Sequence, residues 1–584
     1  MKKILALTLA FVLVVSLCGL SAFAEDDLFT AGTYTATAAG RNGDVTVSVT
    51  FSEDAITDII VESEETETVG VAAMEALKEQ VLATQSVAVD AVSGATVSSN
   101  AFVTALRDCI VQAGADPDAL AAAVENTAGS KEEAIVTDAD IIVIGAGGAG
   151  LSAAVTAAEE GASVILLEKS GVVGGNTIMA MAGINAADSK IQLADEQYAA
   201  NGSKEGLKEL QMNNDDVHEE LVDAYVENSG EFIDWIAEKG VEFTVHIQED
   251  QRNTQQNYWM LMSGGFFETG NHIISALNNN LKSYDNIHLY VFTEATRLLT
   301  DETGAVTGVK AVTKDGEEIN FTAKKVILAT GGFCANRELF TEYRPDLANA
   351  VFGVNAPTTG QGIEMAVEVG AVTVNMADIQ TFPQVMVGYG MITPPNTSLP
   401  GGMDVDAVFV DQDAQRFGAE TFMMADALLA QEASYCVFDE SGLNDFLQAR
   451  INAGYVQTAE TVEELGEKLG IDGESLAATI AAYNEDIADG TDDAFGKENA
   501  GTIEGTVYGY QFGVGTHYCM GGILINGNAE VVREDGTPIE NLYAAGEVTG
   551  GFHGSFRVDG SGLGDSFIFG RIAGRNAAET ALAK

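Results

Sequence analysis

The sequence predicts a large α/β domain that follows a small α+β domain and is interrupted by an inserted segment. The stretch "DADIIVIGAGGAGLSAAVTAAEEGASVILLEKS" at 138–170 has the pattern of a strand, a glycine turn, a helix and a strand. Two later buried strands, in "KKVILATGGF" and "ENLYAAGEVTGG", also end in glycines. Because 46% of the residues are hydrophobic and 63 are glycine, the composition is typical of glycine-turned α/β domains.

The charge of the chain argues against two classes of partner. The 584 residues include 87 acidic and 29 basic side chains, which give a net charge of −58. Nucleic acid and anionic lipid surfaces would repel such a protein. Beyond the N-terminal segment, Cys109, Cys334, Cys436 and Cys519 form neither a CxxC pair nor a CxxCH haem signature. We therefore expect no metal site and no c-type haem.

The first residues have the pattern of a signal peptide. Two lysines precede an apolar run that ends at Leu17, and a small-x-small sequence ends at Ala24. The run is shorter than the ~20 residues of a membrane-spanning helix. Leu17 is larger than the residue that a bacterial lipobox places before its cysteine, which argues against a lipid anchor on Cys18. We expect a signal peptide at 1–24 and a protein that works outside the cytoplasm.

Residues 28–113 predict the small α+β domain. The stretch "GTYTATAAGRNGDVTVSVTF" alternates apolar and polar residues, and "AITDIIVES" predicts a further strand. Helical periodicity follows in "VGVAAMEALKEQVLAT" and "SNAFVTALRDCIV". The next stretch is rich in Ala, Glu, Asp and Gly, and we interpret residues 114–138 as a linker.

The glycine turn of the α/β domain has the spacing of a dinucleotide site. Gly145, Gly147 and Gly150 form GxGxxG directly after an apolar strand, and Glu168 ends the next strand. The glycines permit a tight turn and let backbone amides at the helix start meet a pyrophosphate, while the carboxylate binds a ribose hydroxyl. The sequence therefore predicts a Rossmann-like domain.

The two returning strands favour FAD over NAD. Gly331 ends one of them, and Gly546 and Glu547 end the other, where they would face a ribityl chain. Returning strands of this kind assemble one sheet from distant parts of the chain around a long cofactor. We assign residues 139–379 and 503–584 to this FAD-binding domain, and residues 380–502 to an inserted α+β capping domain.

These stretches resemble the flavoprotein subunit of the fumarate reductase and succinate dehydrogenase family, in particular its soluble secreted branch of flavocytochrome c and urocanate reductase type. The matching stretches are "GAGGAGLSAA", "EKSGVVGGNTIMAMAGINAA", "ATGGFCANRELFTEYRPDL", "THYCMGGILIN" and "AAGEVTGGFHGSFRVDGSGLGDSFIFGR". The resemblance implies further FAD contacts at Lys169, Gly175, Asn176, Thr177, Gly183, Ile184, Asn185, Gly562 and Leu563. Because Asn176 and Thr177 stand where membrane-bound members carry a flavin-linked histidine, it also implies non-covalent FAD.

The N-terminal domain resembles FMN-binding domains whose flavin is attached by a transferase. Asp90, Ser93, Gly94, Ala95 and Thr96 match their Asp-x-x-Ser-Gly-Ala-Thr motif in order. The resemblance implies covalent FMN on Thr96 and a flavin transferase as the maturation partner. The alternative is an ordinary capped helix start, since hydroxyl side chains satisfy the free amides there.

Two residues fit a flavin reductase that acts on a carbon–carbon double bond. Hydride adds to an alkene when a neighbouring group withdraws electrons, and fixed donors or cations around that group stabilise the developing charge. By the resemblance, His517 and Arg557 hold the carboxylate or carbonyl of the substrate. The alternative for His517 is a structural role in the core, whereas a guanidinium among so many glycines needs an anionic or carbonyl partner.

The sequence departs from the family members that reduce fumarate. Their proton-donating arginine follows an RFxxE segment, but "RFGAETFMMADALL" places Met423, Met424 and Ala425 there. Phe382 replaces the histidine of their His-Pro-Thr segment. We therefore expect a large conjugated enoate or enone, such as an aryl acrylate, rather than fumarate. Four residues remain open as the substitute proton donor: Tyr518, Tyr389, Tyr258 and Arg416.

The resulting hypothesis is an extracytoplasmic reductase of anaerobic respiration. An external donor would reduce FMN, FMN would pass electrons to FAD, and FAD would reduce the unsaturated substrate. Two other functions fit the same sequence. A flavin dehydrogenase of the 3-ketosteroid type would run the hydride in the opposite direction, and an electron carrier would keep the flavins without substrate turnover.

Overall fold

The computed structural model describes residues 28–65, 70–87, 89, 96–117, 120, 135–249, 257–264, 268–353, 358–390, 407–418, 420, 425–489, 494–495 and 501–583. The predicted signal peptide with Cys18 lies outside these residues, as do Asp90 and residues 91–95 of the FMN motif. So does most of the predicted linker. The chain divides into two compact units.

The first unit is an antiparallel sheet with helices. Its strands are β1 (Gly32–Ala39), β2 (Asp44–Phe51) and β3 (Ile56–Ser63), in the order β1-β2-β3, and its helices are α1 (Ala72–Thr84) and α2 (Thr96–Gln112). The alternating stretch at 32–51 forms two strands, because a turn closes where the Gly40 amide donates to the Gly43 carbonyl at 2.9 Å. β2 buries its valines against α2, and the predicted α+β class of this unit is confirmed.

The second unit contains the remaining elements. Its strands are β4 (Asp138–Ile144), β5 (Val164–Leu167), β6 (Ile184–Asn185), β7 (Thr244–Glu249), β8 (Asn257–Met262), β9 (Ile287–Tyr290), β10 (Thr293–Thr300), β11 (Val306–Thr313), β12 (Glu318–Leu328), β13 (Val351–Phe352), β14 (Thr373–Val374), β15 (Ile379–Met386), β16 (Ala407–Asp411), β17 (Ser434–Asp439), β18 (Gln457–Ala459), β19 (Val507–Cys519), β20 (Gly522–Leu524), β21 (Glu530–Val532), β22 (Pro538–Ala544) and β23 (Thr549–Gly550). Its helices are α3 (Gly148–Glu159), α4 (Lys190–Ala194), α5 (Glu196–Asn201), α6 (Lys204–Met212), α7 (Glu219–Glu238), α8 (Thr269–Leu281), α9 (Arg337–Tyr343), α10 (Gln361–Glu368), α11 (Ala425–Leu429), α12 (Asp445–Asn452), α13 (Val462–Leu469), α14 (Gly473–Asp486) and α15 (Ser561–Leu582).

An eight-stranded sheet forms the core of this unit. Its order is β10-β11-β12-β4-β5-β9, and β22 pairs with β12 and β21. β4, β5, β9, β12 and β22 are mutually parallel where they pair. Their carboxyl ends therefore meet at one edge, which is where open α/β sheets bind ligands. The predicted Rossmann-like class is confirmed.

Two helices set the position of the site at that edge. α3 follows the glycine turn after β4, and α15 packs along α3. The Ser152 hydroxyl on α3 donates to the Phe567 carbonyl on α15 at 2.8 Å. This packing places the start of α15 close to the glycine turn, although the two segments are far apart in the sequence.

A second, six-stranded sheet, here called the capping sheet, takes β16, β17 and β18 from residues 380–502, the predicted capping domain. Its order is β13-β19-β17-β16, and β15 and β18 also pair with β19. α13 and α14 cover one face of it. β19 lies beyond the predicted boundary at 502 but is the central strand of this sheet. The reason is its length, because one end pairs with β17 and β18 while the other end, at Cys519, reaches the FAD-binding domain.

Candidate active site

A cavity opens at the carboxyl ends of β4, β5 and β12. It encloses about 900 Å³ when counted to its open mouth. Nine of the residues predicted to bind the dinucleotide line it: Gly145, Gly147, Glu168, Lys169, Gly175, Asn176, Thr177, Gly331 and Glu547. These residues come from five separate stretches of the sequence, and the fold brings them to one place.

The glycine turn has the geometry that a dinucleotide site requires. Gly145 has a φ of +100°, which disfavours any residue with a side chain. A Cβ at position 150 would lie 1.8 Å from the Gly145 carbonyl oxygen, so Gly150 is required for the close approach of helix and strand. Gly148 and Ala149, the first residues of α3, line the cavity, and a helix start of this kind suits a pyrophosphate.

Glu168 and Lys169 lie beside this turn. The buried Glu168 accepts hydrogen bonds from the Ala146 amide at 2.8 Å and from the Ser170 amide at 2.7 Å. The Lys169 ammonium donates to the Gln361 side-chain oxygen at 2.8 Å, and burial lowers the pKa of Lys169. The carboxylate is thus fixed in the place where it can meet a ribose hydroxyl.

The lining of the cavity fits FAD. The hydroxyl oxygens of Thr330 and Thr358 are buried, line the cavity, and have no hydrogen-bond partner among the described residues. Buried polar atoms of this kind normally find a partner, so both hydroxyls are available to a polar cofactor. A Cβ at Gly331 would lie 2.8 Å from the Thr358 methyl group, so glycine there keeps the space clear.

The remaining predicted cofactor residues lie outside the cavity lining. Gly546 stands between the lining residues Ala545 and Glu547. Gly183, Ile184 and Asn185 lie at β6, where the Asn185 amide donates to the Gly560 carbonyl at 3.3 Å. Gly562 and Leu563 are in the first turn of α15, and Gly562 contacts Arg557 rather than the cavity.

His517 occupies a β-bulge at the end of β19. Gln380 of β15 pairs with Tyr518 and the next residue, Thr381, pairs with Thr516, so His517 is the extra residue. A bulge re-aims side chains locally and is common beside active sites. The ring of Phe382 packs on His517 with 4.1 Å between the centroids. Burial and the positive charge of Arg557 lower the pKa of His517 to about 3, so it is a neutral hydrogen-bonding group.

Arg557 is held by two neighbours. Its Nε donates to the Gln380 side-chain oxygen at 2.7 Å, and its guanidinium lies over the Tyr518 ring at 4.9 Å from the centroid. Arg557 is only 9% exposed, and no carboxylate among the described residues forms an ion pair with it within 4.0 Å. Its charge is therefore available to an anionic or carbonyl group of a substrate.

Glu547 connects this site with the cavity. It lines the cavity, and its Oε1 accepts a hydrogen bond from the Cys519 amide at 2.9 Å. Burial raises the pKa of Glu547 to about 7. Because Cys519 directly follows His517 and Tyr518, the bulge lies next to the flavin cavity.

The sequence analysis did not identify three residues of the site. Gln380 orients Arg557, and His553 and Asp565 both contact the Tyr518 hydroxyl. His553 and Asp565 do lie within the last of the stretches that carry the family resemblance. Gln380 is two residues before Phe382, and no local signal distinguishes it.

Other predicted features of the site are only partly described. Met423 and Met424 lie outside the described residues, and so does the side chain of Ala425. The side chain of Thr96 is outside them as well, although Thr96 begins α2. The four described cysteines, Cys109, Cys334, Cys436 and Cys519, are buried free thiols.

Comparison with known proteins identifies the family. An FAD-binding domain family matches residues 140–563, and an FMN-binding domain family matches residues 40–111. The chain belongs to the FAD-binding family. Its relatives are named as oxidoreductases, and FAD and FMN are the cofactors of its two domains. The predicted family is thereby confirmed.

Three relatives show the range of activities in this family. Urocanate reductase of Eggerthella lenta is 33% identical over 94% of this chain and 93% of its own length. NADH:acrylate oxidoreductase of Vibrio harveyi is 31% identical over 94% of this chain and 61% of its own length. NADH:fumarate oxidoreductase of Klebsiella pneumoniae is 33% identical over 95% of this chain and 59% of its own length. The chain therefore spans about three fifths of the length of the last two.

Solved structures share the fold. The open conformation of a flavocytochrome c3 fumarate reductase matches with a TM-score of 0.67 at 30% identity, over 80% of this chain and 82% of that one. A 3-ketosteroid delta1-dehydrogenase from Sterolibacterium denitrificans matches with a TM-score of 0.58 at 19% identity, over 76% of this chain and 100% of that one, which shows a shared fold only. In the described part of the chain, no helix has the length and apolarity needed to cross a membrane.

Proposed function

We propose that the protein reduces the carbon–carbon double bond of an enoate or enone outside the cytoplasm, in anaerobic respiration. A flavin transferase would attach FMN to Thr96 during maturation, an external donor would reduce this FMN, and the electrons would pass to non-covalent FAD. When bound and reduced, FAD supplies a hydride to one alkene carbon. The predicted signal peptide supports the location, and the three relatives support the reaction class.

The single observation that carries this proposal is that Arg557 lies near enough to His517 to lower its pKa, beside the flavin cavity. Arg557 offers a charge that no described carboxylate neutralises by an ion pair, and Gln380 fixes its orientation. His517, with its pKa lowered to about 3, stays neutral and can donate one hydrogen bond. Together they stabilise the negative charge that develops on the carboxylate or carbonyl of an alkene as hydride adds.

The walls of this site support a substrate with apolar bulk. Phe382 packs directly on His517, at the place where fumarate-reducing members carry a polar histidine by the resemblance. A second carboxylate, as in fumarate, would therefore lie against a ring that offers no hydrogen bond. An aryl or other large apolar substituent gains by burial there, at about 25 cal/mol per Å² of apolar surface.

An anaerobic reoxidation assay tests the proposal. The protein, loaded with FAD and FMN, is reduced with a viologen dye and mixed with a panel of aryl acrylates, urocanate, acrylate, fumarate and enones. We expect reoxidation by an aryl acrylate or a related conjugated acceptor, faster than by fumarate, with the saturated product. Arg557→Ala should lower turnover by about a hundredfold to a thousandfold.

Arg575→Ala is the matched control. Arg575 is also an arginine of the C-terminal region, but it forms a surface ion pair with Glu231 at 2.7 Å. This variant should keep the turnover of the unmodified protein. If no acceptor reoxidises the reduced protein, the reductase proposal is wrong and an electron carrier is indicated. If only an artificial oxidant supports turnover, with desaturation of a ketone, the 3-ketosteroid type of dehydrogenase is indicated instead.

A further inference from the structure

The four residues that the sequence leaves open as proton donors have different surroundings in the structure. Arg416 forms an ion pair with Glu420, with 2.9 Å between Nη2 and Oε2. The Tyr389 hydroxyl accepts a hydrogen bond from Arg450 inside the capping sheet. Tyr258 pairs with Gln248 between β7 and β8. Tyr518 alone of the four adjoins His517 and contacts Arg557.

Tyr518 is bonded into a polar cluster. Its hydroxyl donates to the Asp565 carboxylate at 2.9 Å and lies 3.2 Å from Nε2 of His553. His553 Nε2 is also 3.7 Å from Asp565. Tyr518 itself keeps part of its surface exposed, whereas His553 and Asp565 are 3% and 1% exposed. The hydroxyl therefore connects a partly accessible ring with a buried acid–imidazole pair.

The buried pair keeps unused hydrogen-bonding capacity. Nδ1 of His553 and Oδ1 of Asp565 are buried, and neither has a hydrogen-bond partner among the described residues. Unsatisfied buried polar atoms are rare in folded proteins, and each needs an explanation, such as a catalytic role or a bound water or ion. Each residue thus bonds to Tyr518 through one atom and can exchange a proton through the other.

From this geometry we propose that Tyr518 donates the proton that completes the reduction, with His553 and Asp565 as positioning residues. The proposal rests on the reductase function proposed above. It assigns to this chain a donor that stands in for the missing family arginine.

The reaction is balanced as follows. An alkene that has taken up a hydride carries one negative charge, delocalised onto its carboxylate or carbonyl. The O–H bond of Tyr518 breaks, a C–H bond forms at the second alkene carbon, and Tyr518 becomes a phenolate. The phenolate then takes one proton from water, directly or through Asp565 and His553. No electrons are exchanged with Tyr518, so the cycle needs no further oxidant.

The groups around Tyr518 favour the protonated hydroxyl at rest and stabilise the phenolate after the proton has left. Burial, together with the charges of Asp565 and Glu547, raises the pKa of Tyr518 well above its usual value, so the hydroxyl is protonated at any working pH. The Arg557 charge acts in the opposite direction and stabilises the phenolate once it forms. A carbanion is a much stronger base than a phenolate, so the transfer is favourable.

Tyr518→Phe tests the assignment, because it keeps the ring under Arg557 and removes only the hydroxyl. We expect kcat for the acceptor found in the reoxidation assay to fall by about a hundredfold to ten-thousandfold. The KM should change little, and so should the change in flavin absorbance when the acceptor binds to the oxidised protein. In the unmodified protein, turnover should slow in D₂O, and Tyr518→Phe should lose this isotope effect.

Two further variants complete the test. Tyr508→Phe, on the same strand, removes a hydroxyl that lies in the capping sheet and should leave kcat unchanged. Asp565→Asn removes a charge that raises the pKa of Tyr518, so the alkaline limb of the kcat profile should move to lower pH. A purely structural role for Asp565 would not move this limb.

The outcomes separate the two proposals. If the unmodified protein reduces an acceptor and Tyr518→Phe keeps more than half of its kcat, Tyr518 is not the donor, although the reductase function stands. If the unmodified protein reduces no acceptor in the panel, both proposals are wrong. If Tyr518→Phe loses acceptor binding but not the isotope effect, Tyr518 binds the substrate and the donor lies elsewhere.

Discussion

Because Gly562 has no side chain, the guanidinium of Arg557 can lie directly against its backbone. A Cβ at this position would lie 2.9 Å from Nη1 of Arg557, 3.1 Å from its Cδ and 3.2 Å from Cε2 of Tyr518. The first contact is shorter than real Cβ atoms show, so the guanidinium would have to move. Because Nε of Arg557 is bonded to Gln380, such a movement would break the contact that orients it.

Gly562→Ala should therefore impair substrate binding without emptying the flavin site. A misplacement of about 1 Å at a catalytic group can cost about a hundredfold in rate, and we expect a loss of this size in kcat/KM with unchanged FAD content. Gly206→Ala is the matched control, because a Cβ there would meet only the Ser203 hydroxyl, at 3.4 Å. Loss of FAD from Gly562→Ala would instead support the cofactor role that the resemblance implies for this residue.

Residues of the site differ in how far the sequence predicts them. Gly145, Gly150 and Glu168 follow from local spacing, because one turn and the strand after it bring them together. His517 and Arg557 come from family resemblance, since no spacing rule links them. The Gln380 contact with Arg557 joins residues 177 positions apart. Only the folded pairing of β15 with β19 places Gln380 there, and sequence reasoning missed it.

At the scale of elements, β19 was the hardest to predict. Its residues match the family stretch "THYCMGGILIN" only at the carboxyl end, so the sequence indicates the site but not the strand that carries it. The irregular pairing with β15 depends on Pro383, which has no amide hydrogen to donate and is tolerated in strands at edges and bulges. Register shifts flank Phe382, and Gln384 has a φ of +62°. These features arise from the pairing of two strands, not from either strand alone.

A buried ion pair follows β16 of the capping sheet, and it includes Arg416, which the sequence left open as a proton donor. The side chains of Arg416 and Glu420 are 7% and 2% exposed, and Nε of Arg416 also donates to Glu420 at 3.0 Å. Glu420 further accepts a hydrogen bond from the Phe409 amide of β16 at 3.3 Å. The pair therefore fixes the segment after β16 to the capping sheet.

Glu420→Gln should destabilise the segment around the capping sheet, because it removes the negative charge that Glu420 places beside a buried guanidinium. Breaking a buried pair costs about 3 to 5 kcal/mol of the free energy of unfolding. The loss should appear as unfolding at a lower urea concentration, with protease cleavage used to monitor the unfolded fraction. Glu238→Gln is the matched control, because it removes one partner of an exposed ion pair. The side chains of Glu238 and Lys190 are 74% and 75% exposed, so the change should cost less than about 1 kcal/mol. Equal stability of the two variants would contradict this role for Arg416.

At the scale of the whole molecule, the chain combines two flavin domains with a strongly acidic composition. The FMN-binding and FAD-binding families match separate ranges, 40–111 and 140–563. For the external donor of the proposed function, the net charge of −58 favours a cationic molecule, whose association would weaken as salt screens the charges. The sequence predicted both domains, because each has a compact motif with a turn of fixed length. It did not predict how the capping sheet recruits β19, because that depends on pairings between distant segments.

In the proposed function, electrons enter the protein through a covalent FMN on Thr96. Thr96 is the first residue of α2, and in the sequence it directly follows Ser93, Gly94 and Ala95 of the motif. When the protein is produced with a flavin transferase, Thr96→Ala should lose the single covalent FMN but keep its FAD, because the FAD cavity is built from other segments. The measurement is the mass of the intact protein, together with the mass of the peptide that contains Thr96.

The control and the kinetic readout make this prediction specific. Thr104→Ala removes an exposed hydroxyl from the same helix and should retain one FMN per chain. A small reduced dye that reaches FAD directly should still support turnover in Thr96→Ala, whereas a protein donor that enters through FMN should not. If Thr96→Ala retains covalent FMN, or if the unmodified chain carries none in a host that attaches it to other proteins, the Ser-Gly-Ala-Thr segment is a helix cap only.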